Sequence, residues 1–293
     1  MKQAIQNQVA EWAYTSGKPY ADPFNEVTLD VVFTGPDGRQ QRVPAFWAGE
    51  QTWRVRFAPS QPGAYRYRSV CSDTSNADLH GQEGALQAAP YQGDNPLLKH
   101  GRLQVAPDRR HLQHVDGTPF FWLADTWWMG FTKRLPWPAG FQELTADRVA
   151  KGFTVAQIVA GLYPDMEPFD ERGANEAGFP WKPDFSQINP AYFDMADLRV
   201  AHMVQSGIAP CIVGEWGFFL GFAGQSALER HWRNLVARWG AYPVVWCAAG
   251  EATMNYYLNR PKDEAEAAER LKKAQTAWSE IIRGIRAADA FGN

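Results

Sequence analysis

The sequence has few cysteines and no excess of positive charge. Its 293 residues include 3 cysteines, an odd number without regular spacing, which does not indicate a disulfide framework. Cys211 and Cys247 lie within apolar runs, where a free cysteine behaves as a small hydrophobic residue. The formal net charge is −3, whereas nucleic-acid binding needs a basic face. We therefore expect thiols that pack in a core, and no nucleic-acid partner.

The sequence also lacks the segments that would indicate a membrane, a metal or a nucleotide cofactor. Residues 1–7 carry no apolar signal-peptide region, and no stretch is long and apolar enough to cross a bilayer. The 6 histidines do not cluster with metal-ligand spacing, and no phosphate-binding glycine loop is present. We expect no membrane partner, no metal and no cofactor. A cytoplasmic location is the default, with a periplasmic or secreted location as the alternative.

Aromatic residues, in contrast, are plentiful. The chain contains 13 Trp, 10 Tyr and 17 Phe. Tryptophan offers a flat apolar face and an N–H donor, which suits stacking on sugar rings, although large cores also use tryptophan. The composition therefore favours a carbohydrate partner without demanding one.

Residues 1–92 have the pattern of an all-β unit. Residues 27–33 and 41–47 flank the turn Gly35-Pro36-Asp37-Gly38, which indicates a hairpin. Residues 51–57 and 64–70 alternate large apolar and polar side chains, as half-buried strands do. Short strands at this spacing predict a small β-sandwich. The turn-forming segment 91–96 is then a linker.

From about residue 112 the pattern changes to alternating strands and helices, which predicts parallel α/β architecture. The first strand is expected to end at Asp125, and the first helix to begin after Thr145 as its N-cap. A long loop over 161–189 is expected to be functional, since long ordered loops usually are. The predicted strands are 119–124, 153–159, 208–213 and 244–250, and the predicted helices are 146–151, 190–205, 226–239 and 263–288.

These elements make about four βα units, whereas a closed (β/α)8 TIM-type barrel needs eight. Half a barrel would leave a strand edge and an apolar face uncovered. An open sheet or pairing with another copy would be alternatives. We expect a fragment: a β-sandwich over 1–92, followed over 93–293 by the first half of a (β/α)8 barrel. The oligomeric state stays open.

Acids and tryptophans follow the predicted strands, at the end where parallel barrels place their active sites. Glycoside hydrolysis needs one carboxyl to protonate the leaving group and a second carboxylate as nucleophile or base. Glu251, after the last apolar strand, is our candidate proton donor, and we expect its carboxyl to be buried beside Trp246, because burial favours the protonated form. The alternative for Glu251 is a surface residue that caps a turn. For Asp125 a turn cap is the stronger explanation, because an acid followed by Thr126 often caps a turn locally. Glu215 is a candidate hydrogen-bond acceptor for substrate.

Several blocks of the sequence resemble the apiosidase-like glycoside hydrolases. The blocks are NPLLKHG at 95–101, DGTPFFWLADTWW at 116–128, KGFTVAQ at 151–157, INPAYFD at 188–194 and YPVVW at 242–246 with Gly250-Glu251 after it. Upstream, WRVRFAP at 53–59 and PGAY at 62–65 are similar to the β-sandwich domain often fused ahead of such barrels. The resemblance spans most of the chain.

The resemblance implies a retaining (β/α)8 glycosidase that acts on side chains of polysaccharides or oligosaccharides. Glu251 would be the acid/base, and the residues that would contact the carbohydrate substrate are Asp125, Trp127, Trp128, Gln157, Glu215 and Trp216. The family's nucleophile is expected near the end of the seventh strand, beyond residue 293, so the chain as given is expected to be inactive or severely impaired. The alternative function is a non-catalytic carbohydrate-binding or scaffolding protein.

Overall fold

A computed structural model describes residues 1–254 and 259–293. The strands are β1 Lys2–Ile5, β2 Ala10–Thr15, β3 Leu29–Thr34, β4 Gln40–Pro44, β5 Phe46–Trp47, β6 Thr52–Phe57, β7 Gly63–Cys71, β8 Glu83–Ala89, β9 Leu103–Val105, β10 Leu112–His114, β11 Pro119–Phe120, β12 Ala124–Trp127, β13 Val155–Val159, β14 Ala209–Val213 and β15 Val245–Cys247. The helices are α1 Pro23–Glu26, α2 Pro96–Lys99, α3 Ala139–Ala150, α4 Pro190–Gln205, α5 Leu220–Ala223, α6 Gln225–Trp239 and α7 Glu264–Ala288.

The N-terminal strands form two sheets that share one apolar core. One sheet has the order β1-β8-β7-β3-β4 and the other the order β2-β6-β5. Along β3, Leu29, Val31 and Phe33 are buried and alternate with partly exposed residues, as the pleat requires. Phe33 of the first sheet stacks on Phe57 of the second, with ring centroids 3.8 Å apart. The two sheets therefore pack face to face, and the strands expected over 27–70 are confirmed.

The second half of the chain is built on a parallel sheet with the order β12-β13-β14-β15. Strand order follows chain order, and α3, α4 and α6 connect the successive strands. Helices α3, α4 and α6 pack on one face of this sheet, around a core that includes Ile158, Ile212 and Trp232, while Leu97 of α2 packs against Val155 and Cys211 on the other. The other face keeps partly exposed side chains, such as Thr126 and Gln157. A small antiparallel sheet, β11-β10-β9, precedes β12.

Two sequence predictions about the first βα unit were wrong. The parallel strand is Ala124–Trp127, not 119–124, because residues 119–120 pair instead with β10 in the small antiparallel sheet. The helix begins at Ala139 rather than after Thr145. Thr145 is buried, and its hydroxyl donates to Phe141 O at 2.7 Å, the bond that a threonine makes to the preceding turn within a helix.

Buried charges join the N-terminal sheets to the helices of the second half. Arg56 of β6 donates to Asp197 of α4 at 2.6 Å and to the main-chain oxygen of Arg238 in α6 at 2.7 Å. Arg238 donates to the same Asp197 oxygen at 2.8 Å, and Trp239 Nε1 donates to the other at 2.7 Å. Burial alone would raise the pKa of Asp197, but Arg56 and Arg238 hold it below its usual range. The two halves are therefore connected by a polar cluster within the protein interior.

Among the described helices, none combines the length and the apolar composition needed to cross a bilayer.

Candidate active site

The register of the parallel sheet determines which predicted residues share a face. Thr126, Gln157, Cys211 and Val245 are successive cross-strand partners and form one row across the four strands. Because neighbouring residues of a strand point to opposite faces, this row lies on the face opposite the helices. Gln157 is only partly buried there. Of the predicted substrate-binding residues, Gln157 is thus available on the open face.

Asp125 and Trp127 lie on the helix side instead. Trp127 is 5% exposed and packs edge-on against Phe141 of α3, with ring centroids 5.5 Å apart. Asp125 accepts hydrogen bonds from the Arg148 guanidinium and, at 3.1 Å, from Trp127 Nε1. Partial burial raises the pKa of Asp125, but the hydrogen bonds, chiefly that from Arg148, bring it below its usual value. The structure therefore does not bring these two residues to the face that carries Gln157, because they are in register with Ala156 and Ile158, whose side chains point to the helix side.

Glu251 lies beyond the carboxyl end of the fourth parallel strand. An isolated parallel bridge between Trp216 and Gly250 extends the pairing of β14 and β15 up to the residue before it. The Gly217 N–H donates to Gly250 O at 2.7 Å. Glu251 itself has a φ of 49°, in the left-handed region that is uncommon for a residue with a Cβ. Such conformations concentrate at functional sites.

The Glu251 carboxylate is held by a tryptophan. Trp216 Nε1 donates to Glu251 Oε2 at 2.8 Å, and the Trp216 side chain is itself buried, at 8% exposure. Its ring lies over Gly250, where a Cβ would come within 2.2 Å of the ring atoms. Trp128, 40% exposed, packs edge-on against Trp216 with ring centroids 4.8 Å apart. The structure therefore brings Trp128, Trp216 and Glu251 together.

The expected burial of Glu251 beside Trp246 was wrong. Glu251 is exposed. Trp246 is in register with Ile212 on the helix side, where it contacts Trp232, and its Nε1 donates to Asp289 at 3.2 Å. The difference arises because Trp246 lies within β15 and points to the helix side, whereas Glu251 lies four residues beyond the end of the strand, in a left-handed backbone conformation.

Glu215 is the buried carboxyl of the region. It is 0% exposed, and neither of its oxygens has a hydrogen-bond partner among residues 1–254 and 259–293. Burial raises its pKa well above the usual value, and the nearby Trp232 indole offsets this only partly. The Trp232 N–H donates to Ala248 O at 3.2 Å. Burial therefore favours the protonated form of Glu215, whose carboxyl is enclosed by protein rather than open to substrate as expected from the sequence.

The two strand cysteines behave as predicted from their apolar surroundings. Cys211 is buried and Cys247 partly buried, and both are free thiols. Burial raises the pKa of Cys211 to about 12 and also raises that of Cys247. A thiol that stays protonated is a poor nucleophile. Within the described ranges, no group of three or more His, Cys, Asp or Glu side chains could hold a metal ion.

Sequence reasoning missed two residues that build this region. Arg148 fixes Asp125 on the helix side, and Gly250 provides the space for the Trp216 ring. Arg148 gives no signal in the sequence, because its partner is 23 positions away. Gly250 does give one, since a glycine directly before a strand-end acid often marks a close approach of another group.

Solved structures with a similar fold include glycoside hydrolases. A structure of a putative glycoside hydrolase from Bacteroides vulgatus matches with a TM-score of 0.73 at 20% sequence identity, covering 99% of this chain and 55% of that one. A structure of another glycoside hydrolase matches with a TM-score of 0.50 at 18% identity, covering 68% of this chain and 41% of that one. The chain thus spans about half the length of these structures, or somewhat less.

Family models match both parts of the chain, whereas no curated protein matches it. Residues 5–72 match a domain of unknown function, DUF5060. Residues 106–291, more than half of the chain, match the apiosidase-like catalytic domain. This stretch contains the parallel sheet, its helices and the cluster of Trp128, Trp216 and Glu251. The chain belongs to the apiosidase-like glycoside hydrolase family.

Proposed function

We propose that this chain is the N-terminal part of a retaining glycoside hydrolase that acts on side chains of polysaccharides or oligosaccharides. Residues 1–92 would be a β-sandwich domain, and residues 93–293 would supply the first four βα units of a (β/α)8 barrel. The match of residues 106–291 to the apiosidase-like catalytic domain supports glycoside hydrolysis as the reaction. Four parallel strands in chain order, joined by helices on one face, support the architecture, because that is how such a barrel is built.

Glu251 is the proposed acid/base. The observation that carries this proposal is its place after the fourth parallel strand, exposed to solvent and hydrogen-bonded by Trp216 at 2.8 Å. An acid/base must reach the glycosidic oxygen, so exposure suits the role. The hydrogen bond limits the directions that the carboxyl can take. In the first step Glu251 would protonate the departing oxygen, and in the second it would deprotonate the attacking water.

The second carboxylate is proposed to come from a later strand, beyond residue 293. A retaining enzyme needs its two carboxyl groups roughly 5 Å apart. At the ends of the described parallel strands, Asp125 is paired with Arg148 on the helix side, and Glu215 is buried. Neither is placed to attack a sugar held at Glu251. On this proposal the 293 residues alone bind substrate weakly and turn it over poorly.

The open face near Glu251 would hold the sugar. Trp128 offers an exposed indole, which suits the apolar face of a sugar ring. Gln157 offers an amide, with one acceptor and two donors for hydroxyl groups. Trp216 touches Glu251 and Trp128, so its role is to hold the first and support the second. Asp125 and Trp127 would support β12 from the helix side.

The test is Glu251→Gln in the full-length protein, assayed on aryl glycosides with good and poor leaving groups. We expect turnover of the poor leaving groups to fall about 10²- to 10⁴-fold. Activated leaving groups need no protonation, so their cleavage step should change far less. Glu143→Gln, an exposed carboxyl on α3, is the matched control and should leave both rates unchanged.

Unchanged turnover of the poor leaving groups in Glu251→Gln would refute the assignment. The alternative of a carbohydrate-binding protein would be favoured if neither the unchanged protein nor any variant hydrolysed a substrate. Glycan binding would then survive Glu251→Gln but be lost in Trp128→Ala.

A further inference from the structure

The outer face of the N-terminal five-stranded sheet carries three arginines at neighbouring positions. Val32 of β3 pairs with Arg42 of β4 on one side and with Arg68 of β7 on the other. The next outward residue, Thr34, pairs with Arg66. From the spacing of strands and residues, the backbone positions of Arg42 and Arg68 lie about 10 Å apart, and those of Arg66 and Arg68 about 7 Å. We call Arg42, Arg66 and Arg68 the arginine face.

The positive charge of this face is only partly neutralised. In the described parts of the chain, Arg66 has no acidic partner within 4.0 Å, and its side chain is exposed. Arg68 lies 3.7 Å from Glu83, and the two side chains are 60% and 71% exposed. An ion pair this exposed contributes little to stability, so another anion can readily take the place of Glu83. Arg66 is therefore available to a ligand, and Arg68 can bind one by exchanging its exposed contact with Glu83.

Arg42 shares its acidic partner with a second arginine. Its Nε donates to Asp30 Oδ2 at 2.7 Å, while Arg233 of α6 reaches Asp30 Oδ1 at 2.6 Å. One carboxylate thus serves two guanidinium groups, and the Arg42 side chain stays 60% exposed. The local balance at this end of the sheet is positive, although the chain as a whole carries a net charge of −3.

A groove of about 590 Å³ lies over the same strands. Its lining includes Val32, Thr34, Gln40, Arg66, Arg68 and Val70, together with His80 and with Glu83, the partner of Arg68. The two valines are half-buried and give it an apolar surface, while Thr34 and Gln40 add a hydroxyl and an amide. The groove therefore combines guanidinium forks, neutral hydrogen-bonding groups and apolar contact area.

We propose that this groove binds an anionic oligosaccharide, at a site separate from Glu251. A guanidinium binds a carboxylate or sulfate through two parallel hydrogen bonds, which a neutral sugar cannot accept in the same way. Thr34 and Gln40 suit the hydroxyl groups of a sugar, and the valines suit its C–H face. A nucleic acid is disfavoured, since its backbone requires a larger basic surface than three arginines provide. The site would hold the protein on an acidic glycan while the barrel acts elsewhere.

The test is calorimetric titration with oligogalacturonate, heparin oligosaccharide, cello-oligosaccharide and single-stranded DNA. We expect binding of at least one anionic oligosaccharide, with galacturonate and heparin distinguishing carboxylate from sulfate recognition, and no binding of the neutral one. Arg66→Ala/Arg68→Ala should weaken that binding at least tenfold. Arg66→Lys/Arg68→Lys should also weaken it, though less, because lysine keeps the charge without the fork.

Lys272→Ala/Arg286→Ala is the matched control, since it removes the same charge from exposed positions of α7. It should bind as the unchanged protein does, and thermal unfolding should show that both double variants are folded. Glu251→Gln should bind equally well, which separates this site from the proposed catalytic one. The proposal is overturned if both double alanine variants weaken binding alike, if DNA binds more tightly than either glycan, or if no anionic oligosaccharide binds.

Discussion

Trp216 donates its indole N–H to the Glu251 carboxylate at 2.8 Å, so the aromatic residue after β14 orients the acid after β15. Trp216→Phe keeps most of the ring and removes the donor. Since a hydrogen bond to a charged group contributes about 1.5–3 kcal/mol, we expect kcat of the full-length enzyme to fall roughly 10- to 100-fold with a smaller change in KM. Trp246→Phe also loses an indole donor, but on the helix side, and should leave kcat unchanged. Equal losses in the two variants would argue against an orienting role.

Gly250 is required by the packing of Trp216. A Cβ at this position would lie 2.2 Å from the indole ring, closer than atoms can approach. Gly250→Ala should displace Trp216, shift its fluorescence and reduce activity at least as much as Trp216→Phe. Gly221→Ala is the control, because its added Cβ meets no atom within 4 Å. An unchanged emission spectrum in Gly250→Ala would show that the strand ends adjust at low cost.

The buried Glu215 should make the stability of the protein depend on pH. Burial raises its pKa in the folded state well above the usual value, so above about pH 4.5 unfolding releases a proton. The contribution of Glu215 to the free energy of unfolding is then highest at low pH and falls as pH rises toward the folded-state pKa, by at most about 1.4 kcal/mol per pH unit. Urea titrations from pH 4 to 9 should show this slope in the unchanged protein. Glu215→Gln should lose it, whereas Glu143→Gln should keep it.

The buried ion cluster should make Asp197 one of the least replaceable residues. Asp197→Asn would leave Arg56 and Arg238 without their shared anion inside the protein. Breaking a buried pair costs about 3–5 kcal/mol, which urea unfolding can measure. Asp194 also pairs with Arg238, at 3.0 Å, but its side chain is 43% exposed, so Asp194→Asn should cost less than about 1 kcal/mol. If both variants lost a similar amount of unfolding free energy, burial would not be the reason that Asp197 matters more than Asp194.

Periodicity identified the later elements of the fold well. The helices over 190–205, 226–239 and 263–288 and the strands over 153–159 and 208–213 lie close to their predicted bounds, whereas the strand predicted over 244–250 ends at Cys247. Their signals are local, since each depends on apolar spacing within one segment. The first βα unit was misplaced, because residues 119–124 are equally apolar whether they pair with β10 or with β13. Which strand these residues pair with depends on the competition between the two sheets, and the sequence of a single segment does not reveal that competition.

The candidate site was predictable in its residue types but only partly in its geometry. Glu251, Trp128 and Trp216 come together as expected from strand ends that meet at one edge. The exposures of Glu251 and Glu215 were reversed relative to expectation, because they depend on which side chain fills the space beside each carboxyl. The sequence shows alternating arginines at 66 and 68, but only the strand register shows that Arg42 lies on the same face beside them.

The ion cluster between Arg56 and Asp197 also bears on how such proteins can be assembled in evolution. Modular exchange of N-terminal domains is simplest when the surfaces in contact are neutral and replaceable. Here, a foreign domain without an arginine at the equivalent of Arg56 would leave Asp197 with one of its two cations missing. A foreign α/β half without an acid at the equivalent of Asp197 would leave Arg56 with Glu11 of β2 but without its buried partner. The β-rich half and the α/β half are therefore expected to be inherited together, as a matched pair.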